Sequence, residues 1–220
     1  SVLKDRIVLP RHFVDSNIVL SDGTSIAATD KLEFEPAVSP DATLVAYTVV
    51  DNNRSEIWTA GIHGENPTFR ALGHEPRFSA NGYEIVYTHA DLKGNDDIWK
   101  IDIRNGSADR VTDADEIDVA PDPSPDGRFI AFSSARGGAL SVWTVPTDGG
   151  KRLRINEGGY APRYSPDGKS IVFWDHQALW TIAPNGKNPR QIYSGLPEPT
   201  RAVWSGKGPA FFFNGEIRTA

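Results

Sequence analysis

One short string recurs along this chain and decides most of what it can fold into. Glu35–Tyr47 reads EPAVSPDATLVAY, Glu75–Tyr87 EPRFSANGYEIVY, Ala120–Phe132 APDPSPDGRFIAF and Ala161–Phe173 APRYSPDGKSIVF. A fifth copy, Arg201–Phe213 (RAVWSGKGPAFFF), keeps the rhythm and loses the Pro-Asp. The equivalent serines are Ser39, Ser79, Ser124, Ser165 and Ser205, spaced by 40, 45, 41 and 40 residues. A second marker stays in step: Ile57-Trp58, Ile98-Trp99, Val142-Trp143 and Leu179-Trp180, with Ile217-Arg218 in the last copy. Two independent markers at one period define a structural repeat.

Each repeat reads as four short strands. The first ends at the Ser, and the Pro-Asp-Gly that follows sets a tight turn, Pro fixing φ at one corner and Gly free to take positive φ. A β-rich second strand such as Ile171–Trp174 follows, then a third carrying the Trp, then a fourth such as Arg190–Tyr193. Four strands every ~40 residues is the signature of a β-propeller blade. One such sheet cannot bury both faces alone, so the Trp, Phe and Tyr side chains are expected between neighbouring blades. With 20 Gly and 16 Pro the chain turns often and has little room for long helices.

The expected fold is all-β: a single propeller domain over residues 1–220, built of four-stranded antiparallel blades. Repeats near 10–34, 35–74, 75–119, 120–160, 161–200 and 201–220 give six blades. In the first, Phe13–Leu20 and Ser25–Ala27 stand for strands one to three and the outer strand is stunted or missing. Asp5–Leu9 resembles the fourth strands Arg110–Thr112 and Arg190–Ile192. It is therefore expected to complete the last blade and close the ring, which would remove exposed strand edges. Five blades is the alternative, with residues 10–34 an irregular arm. The chain has no Met, so Ser1 is expected to follow a cleaved leader or to lie within something longer.

The string Pro-x-aromatic-Ser-Pro-Asp-Gly-x-x-Ile-(Ala/Val)-Phe, followed by Ile-Trp, resembles the TolB-type propeller repeat. It is clearest at Pro162–Phe173, then at Pro121–Phe132, and weaker from Pro36 and Pro76, over roughly residues 35–205. The resemblance implies the propeller fold and, as a location, the periplasm or the extracellular space. Similar blades occur in periplasmic TolB, which binds a peptidoglycan-associated lipoprotein. They also form the gating propellers of prolyl-oligopeptidase-like enzymes and tricorn proteases, and a manganese-dependent oligogalacturonate lyase. The repeat type implies the fold and leaves the function to the site.

Chemistry is sparse. A net charge of −6 and a pI near 5.4 give no electrostatic reason to seek nucleic acid. No apolar run reaches the ~18 residues of a membrane helix, so no membrane insertion is expected. With no Cys, disulfides and thiolate sites are excluded. Gly168-Lys169-Ser170 lacks the earlier Gly of a phosphate loop, and no Gly-x-Ser-x-Gly elbow exists. Catalysis is thus left without a motif, and no cofactor is expected. The acidic runs Asp91, Asn95, Asp96, Asp97 and Asp113, Asp115, Glu116, Asp118 suggest calcium or another divalent cation, but without the alternating spacing of a helix–loop–helix site.

Topology supplies candidate binding residues. Loops after strands two and four share one face, where sequences differ from blade to blade; the Ser-Pro-Asp-Gly turns occupy the other. His74, His89 and His176 belong to the varied face. First strands are innermost, so Glu35 with Ala37, Glu75 with Arg77, Asp122, Arg163, and Glu198 with Arg201 should surround an axial channel. Arg–carboxylate pairs between blades would hold the ring closed. The expected binding set is Glu75, Arg77, Asp122 and Arg163, rimmed by His74, His89, Tyr160 and His176. Arg77 and Arg163 would meet acidic groups of a peptide or small polar ligand. The expected function is a non-catalytic module docking a protein or peptide, with a cell-envelope partner implied by the resemblance. The alternatives are a glycan-active protein, lectin-like or a metal-dependent lyase, and the severed gating propeller of a peptidase.

Overall fold

The computed structural model describes residues 2–3, 6–11, 17–20, 23–27, 29, 31–175, 177–195, 202–205, 208–213 and 216–219. Every regular element in them is a strand, and all pairing is antiparallel between strands consecutive in sequence. The first sheet holds β1 (Val2–Leu3), β2 (Arg6–Arg11), β3 (Asn17–Leu20) and β4 (Ser25–Ala27). The second holds β5 (Leu32–Val38), β6 (Leu44–Asp51), β7 (Arg54–Gly61) and β8 (Thr68–Leu72). The third holds β9 (His74–Phe78), β10 (Glu84–Ala90), β11 (Asp96–Asp102) and β12 (Ala108–Arg110). The fourth holds β13 (Asp118–Pro123), β14 (Phe129–Ser134), β15 (Ser141–Pro146) and β16 (Leu153–Asn156). The fifth holds β17 (Tyr160–Tyr164), β18 (Ile171–Asp175), β19 (Ala178–Ile182) and β20 (Arg190–Ser194). β21 (Ala202–Ser205), β22 (Gly208–Phe213) and β23 (Glu216–Thr219) form a three-stranded last sheet. Connections of two to seven residues within each sheet leave successive strands no easier partner than each other.

Both ends depart from expectation. Arg6–Arg11 does not complete the last sheet: it pairs with Asn17–Leu20, with Val8 opposite Leu20 and Arg11 opposite Asn17. The two strands are five residues apart in sequence, and closing so short a loop costs far less entropy than joining ends about two hundred residues apart. The first sheet consequently starts at Val2, and Ser25–Ala27 is its fourth strand rather than its third.

The Ser-Pro-Asp-Gly string explains itself as a closed turn. Ser165 Oγ donates to Asp167 Oδ1 at 2.6 Å and accepts the Ser170 N–H at 3.0 Å, while Asp167 Oδ1 accepts the Lys169 N–H at 3.1 Å. Ser39 with Asp41 and Ser124 with Asp126 repeat the arrangement, and Asn81 replaces the Asp beside Ser79. The Gly corner is left-handed at Gly82, Gly127 and Gly168, and Ala42 takes the same conformation at φ 61° in the second sheet.

Packing runs from sheet to sheet, and alternation along each strand decides which neighbour is met. In the Ile-Trp marker the first residue is fully buried toward the following sheet. Ile57 joins Phe78, Ile85 and Tyr87; Ile98 joins Ile130 and Phe132; Val142 joins Ile171 and Phe173. The Trp faces the preceding sheet: Trp58 packs on Val45 and Tyr47 beside Ile18 and Ile26, and Trp99, Trp143 and Trp180 follow suit. The four tryptophans pack between neighbouring sheets as expected, partly buried, while the fully buried positions beside them are Ile57, Ile98, Val142 and Leu179. First strands of successive sheets touch one another from β5 to β21, so they form the inner wall.

Candidate functional site

Four residues on that wall share a feature the sequence gives no hint of. Glu35, Glu75, Ala120 and Ala161 are left-handed, with φ of 57°, 58°, 56° and 51°, and each directly precedes a proline. Non-glycine residues seldom adopt this region. The ladder between the first and second strands skips at the same place in each of the four sheets. A bulge of this kind re-aims backbone groups away from their own sheet.

The freed N–H groups are taken up by the preceding blade. Glu75 N–H donates to Glu35 Oε2 at 2.7 Å, Ala120 N–H to Glu75 Oε2 at 2.6 Å, and Ala161 N–H to Ser133 Oγ at 3.0 Å. The hydroxyls of Thr48 and Thr88 donate to the same carboxylate oxygens, at 3.0 and 3.2 Å. Thr48, Thr88 and Ser133 sit at one repeat position, thirteen residues after Glu35, Glu75 and Ala120. Sequence reading missed them, although the aligned hydroxyls were a usable signal.

Glu75 also accepts the Tyr160 hydroxyl on Oε1 at 3.1 Å. The two lie in the third and fifth sheets, so this bond spans the first strand of the fourth. Ala120, where two earlier repeats have Glu, leaves room for the Tyr160 ring, which packs with Val119, Ala120 and Ala161. Two residues further along each first strand lies a second layer. Asp122 Oδ1 stands 4.0 Å from Arg77 Nε and 3.9 Å from Arg163 Nε, and its Oδ2 accepts the Tyr164 N–H at 2.7 Å. Each arginine also donates to the carbonyl of its own preceding proline at 2.7 Å. Burial pushes the Asp122 carboxyl above its ordinary value, against the pull of Arg163 and Arg77. Asp122 therefore links three consecutive blades, the geometry of a ring-holding contact.

At the mouth, His74 Nε2 is 3.7 Å from Asp96 Oδ1 and its Nδ1 is 3.9 Å from Glu75 Oε2. Burial, the largest single influence, lowers the His74 pKa, but the Asp96 hydrogen bond with the charges of Glu75, Glu35 and Asp96 outweighs it and raises the group overall. His89 shifts down, because burial and the charge of His74 prevail over Asp96; its ring meets the edge of Trp99 at 5.6 Å. Of the expected binding residues, the structure gathers His74, Glu75, Arg77, Asp122, Tyr160 and Arg163 about the inner wall, with His89 beside them. His176, Glu198 and Arg201 lie outside the described residues.

Three of the seven acidic residues in the two runs are engaged with arginine. Asp97 pairs with Arg110, Asp113 with Arg152, and Asp118 with Arg136 at 2.8 Å. Among the described residues, no three His, Asp or Glu side chains converge as a metal-ligand set.

Sheets of this order around an inner wall define a β-propeller. Residues 21–192 match the TolB beta propeller domain model, and the chain belongs to that family. An uncharacterised protein of Agrobacterium fabrum is 32% identical over 149 residues, 64% of this chain and 50% of that protein. The chain thus spans about half the length of that relative. Among solved structures, a TolB-like protein from Agrobacterium tumefaciens superposes with a TM-score of 0.74 at 23% identity, covering 90% of this chain and 83% of the other. A chain in the nidogen/laminin complex superposes at 0.75 and 12% identity, covering 94% and 84%.

Proposed function

We propose that the chain is a non-catalytic docking module, a six-bladed propeller that takes a protein or peptide partner on the face bearing the loops after the second and fourth strands. The carrying observation is the contrast between the faces. Ser and Asp side chains of the repeat turns are consumed within their own turns. The other face instead presents loops of different sequence on a wall braced by Glu35, Glu75 and Asp122. Variation on a rigid frame suits recognition. The mouth residues His74, His89 and Tyr160, with His176, would meet the partner, and the buried Glu75 with Arg77, Asp122 and Arg163 would form the floor beneath. Family membership favours a cell-envelope partner and a periplasmic or extracellular site, and the fold's occurrence in a nidogen/laminin complex suits a protein ligand.

Capture from an envelope protein extract, run beside a glycan array, tests this. The expected result is a protein partner lost with His74→Gln combined with Tyr160→Phe, and retained with Lys169→Glu on the exposed repeat turn. Capture lost only with Lys169→Glu would place the interface on the wrong face. Glycan binding without a protein partner would favour the glycan-active alternative.

A further inference from the structure

The turn between β10 and β11 carries a residue that turn chemistry does not ask for. Asp91 N–H donates to Asn95 O at 2.8 Å and Gly94 N–H to Asp91 O at 2.9 Å. Asp91 Oδ1 accepts the N–H groups of Lys93 and Asn95 at 2.7 and 3.0 Å, contacts that hold its carboxyl below the ordinary range and keep it charged. Leu92 contributes nothing to this closure and is fully exposed at 109%. The equivalent tips in the second and fourth sheets are Asn52-Asn53 and Gly137-Gly138, residues suited to a turn.

Asn95 Nδ2 donates to Ala114 O at 2.6 Å and so fastens this turn to the connection between β12 and β13. That connection displays Asp115, Glu116 and Ile117, all exposed. Between the two loops lies a cavity of about 430 Å³ whose charged lining is Asp91, Lys93, Arg110, Asp113 and Asp115. Arg110 is spent on Asp97 and the Thr112 carbonyl, and Asp113 on Arg152. The lining thus holds three carboxylates, Asp91, Asp113 and Asp115, against Lys93 and Arg110, with Glu116 exposed on the same connection, and the groove carries a net negative charge. Of the other exposed large apolar side chains, Phe69 meets the Trp58 ring edge-on and Tyr83 lies under Arg104, while Leu32 and Leu153 stand singly in the second and fourth sheets. Leu92 and Ile117 flank one groove from neighbouring loops.

We propose that this groove seats a basic segment of the partner protein, a Lys or Arg side chain entering the cavity toward Asp91 and Asp115 while an adjacent apolar residue covers Leu92 and Ile117. The inference rests on the docking function above and gives its partner a chemistry. Charge complementarity selects the occupant and speeds its approach, and the apolar pair anchors it. Because the groove lies in the loops of the third blade, it is separable from the channel mouth.

Anisotropy titrations with three labelled peptides of equal length, Lys/Leu, Ser/Leu and Glu/Leu, provide the test, with sedimentation of the unliganded protein alongside. The Lys/Leu peptide should bind, weaken with added salt, and lose roughly tenfold in affinity with Leu92→Ser and again with Asp115→Asn plus Glu116→Gln. All three substitutions lie at exposed positions, so folding should be unchanged. Equal binding of the Lys/Leu and Ser/Leu peptides, or indifference to the substitutions, would overturn the proposal. So would self-association abolished by Leu92→Ser, which would make the groove a contact between copies. Should the peptides fail while envelope capture still depends on His74 and Tyr160, this inference falls and the docking function stands. Failure of both experiments would remove the docking function itself.

Discussion

The two faces of the propeller spend their polar groups differently. On the repeat face, Ser165 and Asp167 bond to each other and to backbone within five residues, and Ser39 with Asp41 and Ser124 with Asp126 do the same. Toward the varied face, one carboxylate, Glu75, accepts from Thr88 in its own blade, Ala120 in the next and Tyr160 in the one beyond. The first pattern is local and is copied in each repeat. The second exists only when the blades have assembled, so it couples that face to the integrity of the ring.

Glu75→Ala attacks the coupled side most severely. It leaves the buried Ala120 N–H and the Thr88 hydroxyl without their acceptor, and should cost about 3 kcal/mol or more in denaturant unfolding. Ser165→Ala removes two hydrogen bonds inside one turn and should cost about 1 kcal/mol. Equal losses from the two substitutions would erase the distinction between the faces. Ala42→Gly acts in the opposite direction. Its left-handed corner is the one place where a repeat turn lacks its glycine, and relief should stabilise by about 0.5–1 kcal/mol.

Proton linkage separates the faces more finely. Serine hydroxyls, then backbone N–H groups, hold Asp41, Asp126 and Asp167 below the ordinary value of 3.8. A carboxyl depressed in the folded state contributes stability above its unfolded value and loses it as pH falls through the folded one. The repeat face should therefore weaken in acid, and Asn at the three positions should flatten that limb. His74, raised from 6.5, contributes below that value and loses its contribution as pH rises through the folded value. Its small loss belongs to the alkaline side, and His74→Gln should remove it.

How much of this was legible in the sequence depends on how local the cause is. The repeat turn was, because Ser, Pro, Asp and Gly each act within a few residues. Blade count and strand order followed from two markers in step for residues 31–195. The pairing of Arg6–Arg11 was not legible: its composition suits a fourth strand, but proximity to Asn17–Leu20 decides. The placing of the tryptophans between blades was legible, but not that the residue before each is the deeper one, because both faces of a propeller strand have a neighbour and size alone does not rank them. At the inner wall the residues Glu75, Arg77, Asp122 and Arg163 could be named from their repeat position. The arginine–carboxylate pairing at Asp122 was legible too; the backbone N–H and hydroxyl partners of Glu35 and Glu75 were not, since the left-handed backbone there precedes proline without any glycine to announce it.

The central claim, docking on the varied face, is tested most directly by hydrogen exchange of the protein with and without a captured envelope partner. Protection should concentrate in residues 73–75, 90–97, 111–118 and 157–160, while the turns at 39–43, 79–83, 124–128 and 165–169 exchange as in the free protein. Protection confined to those four turns would contradict the account.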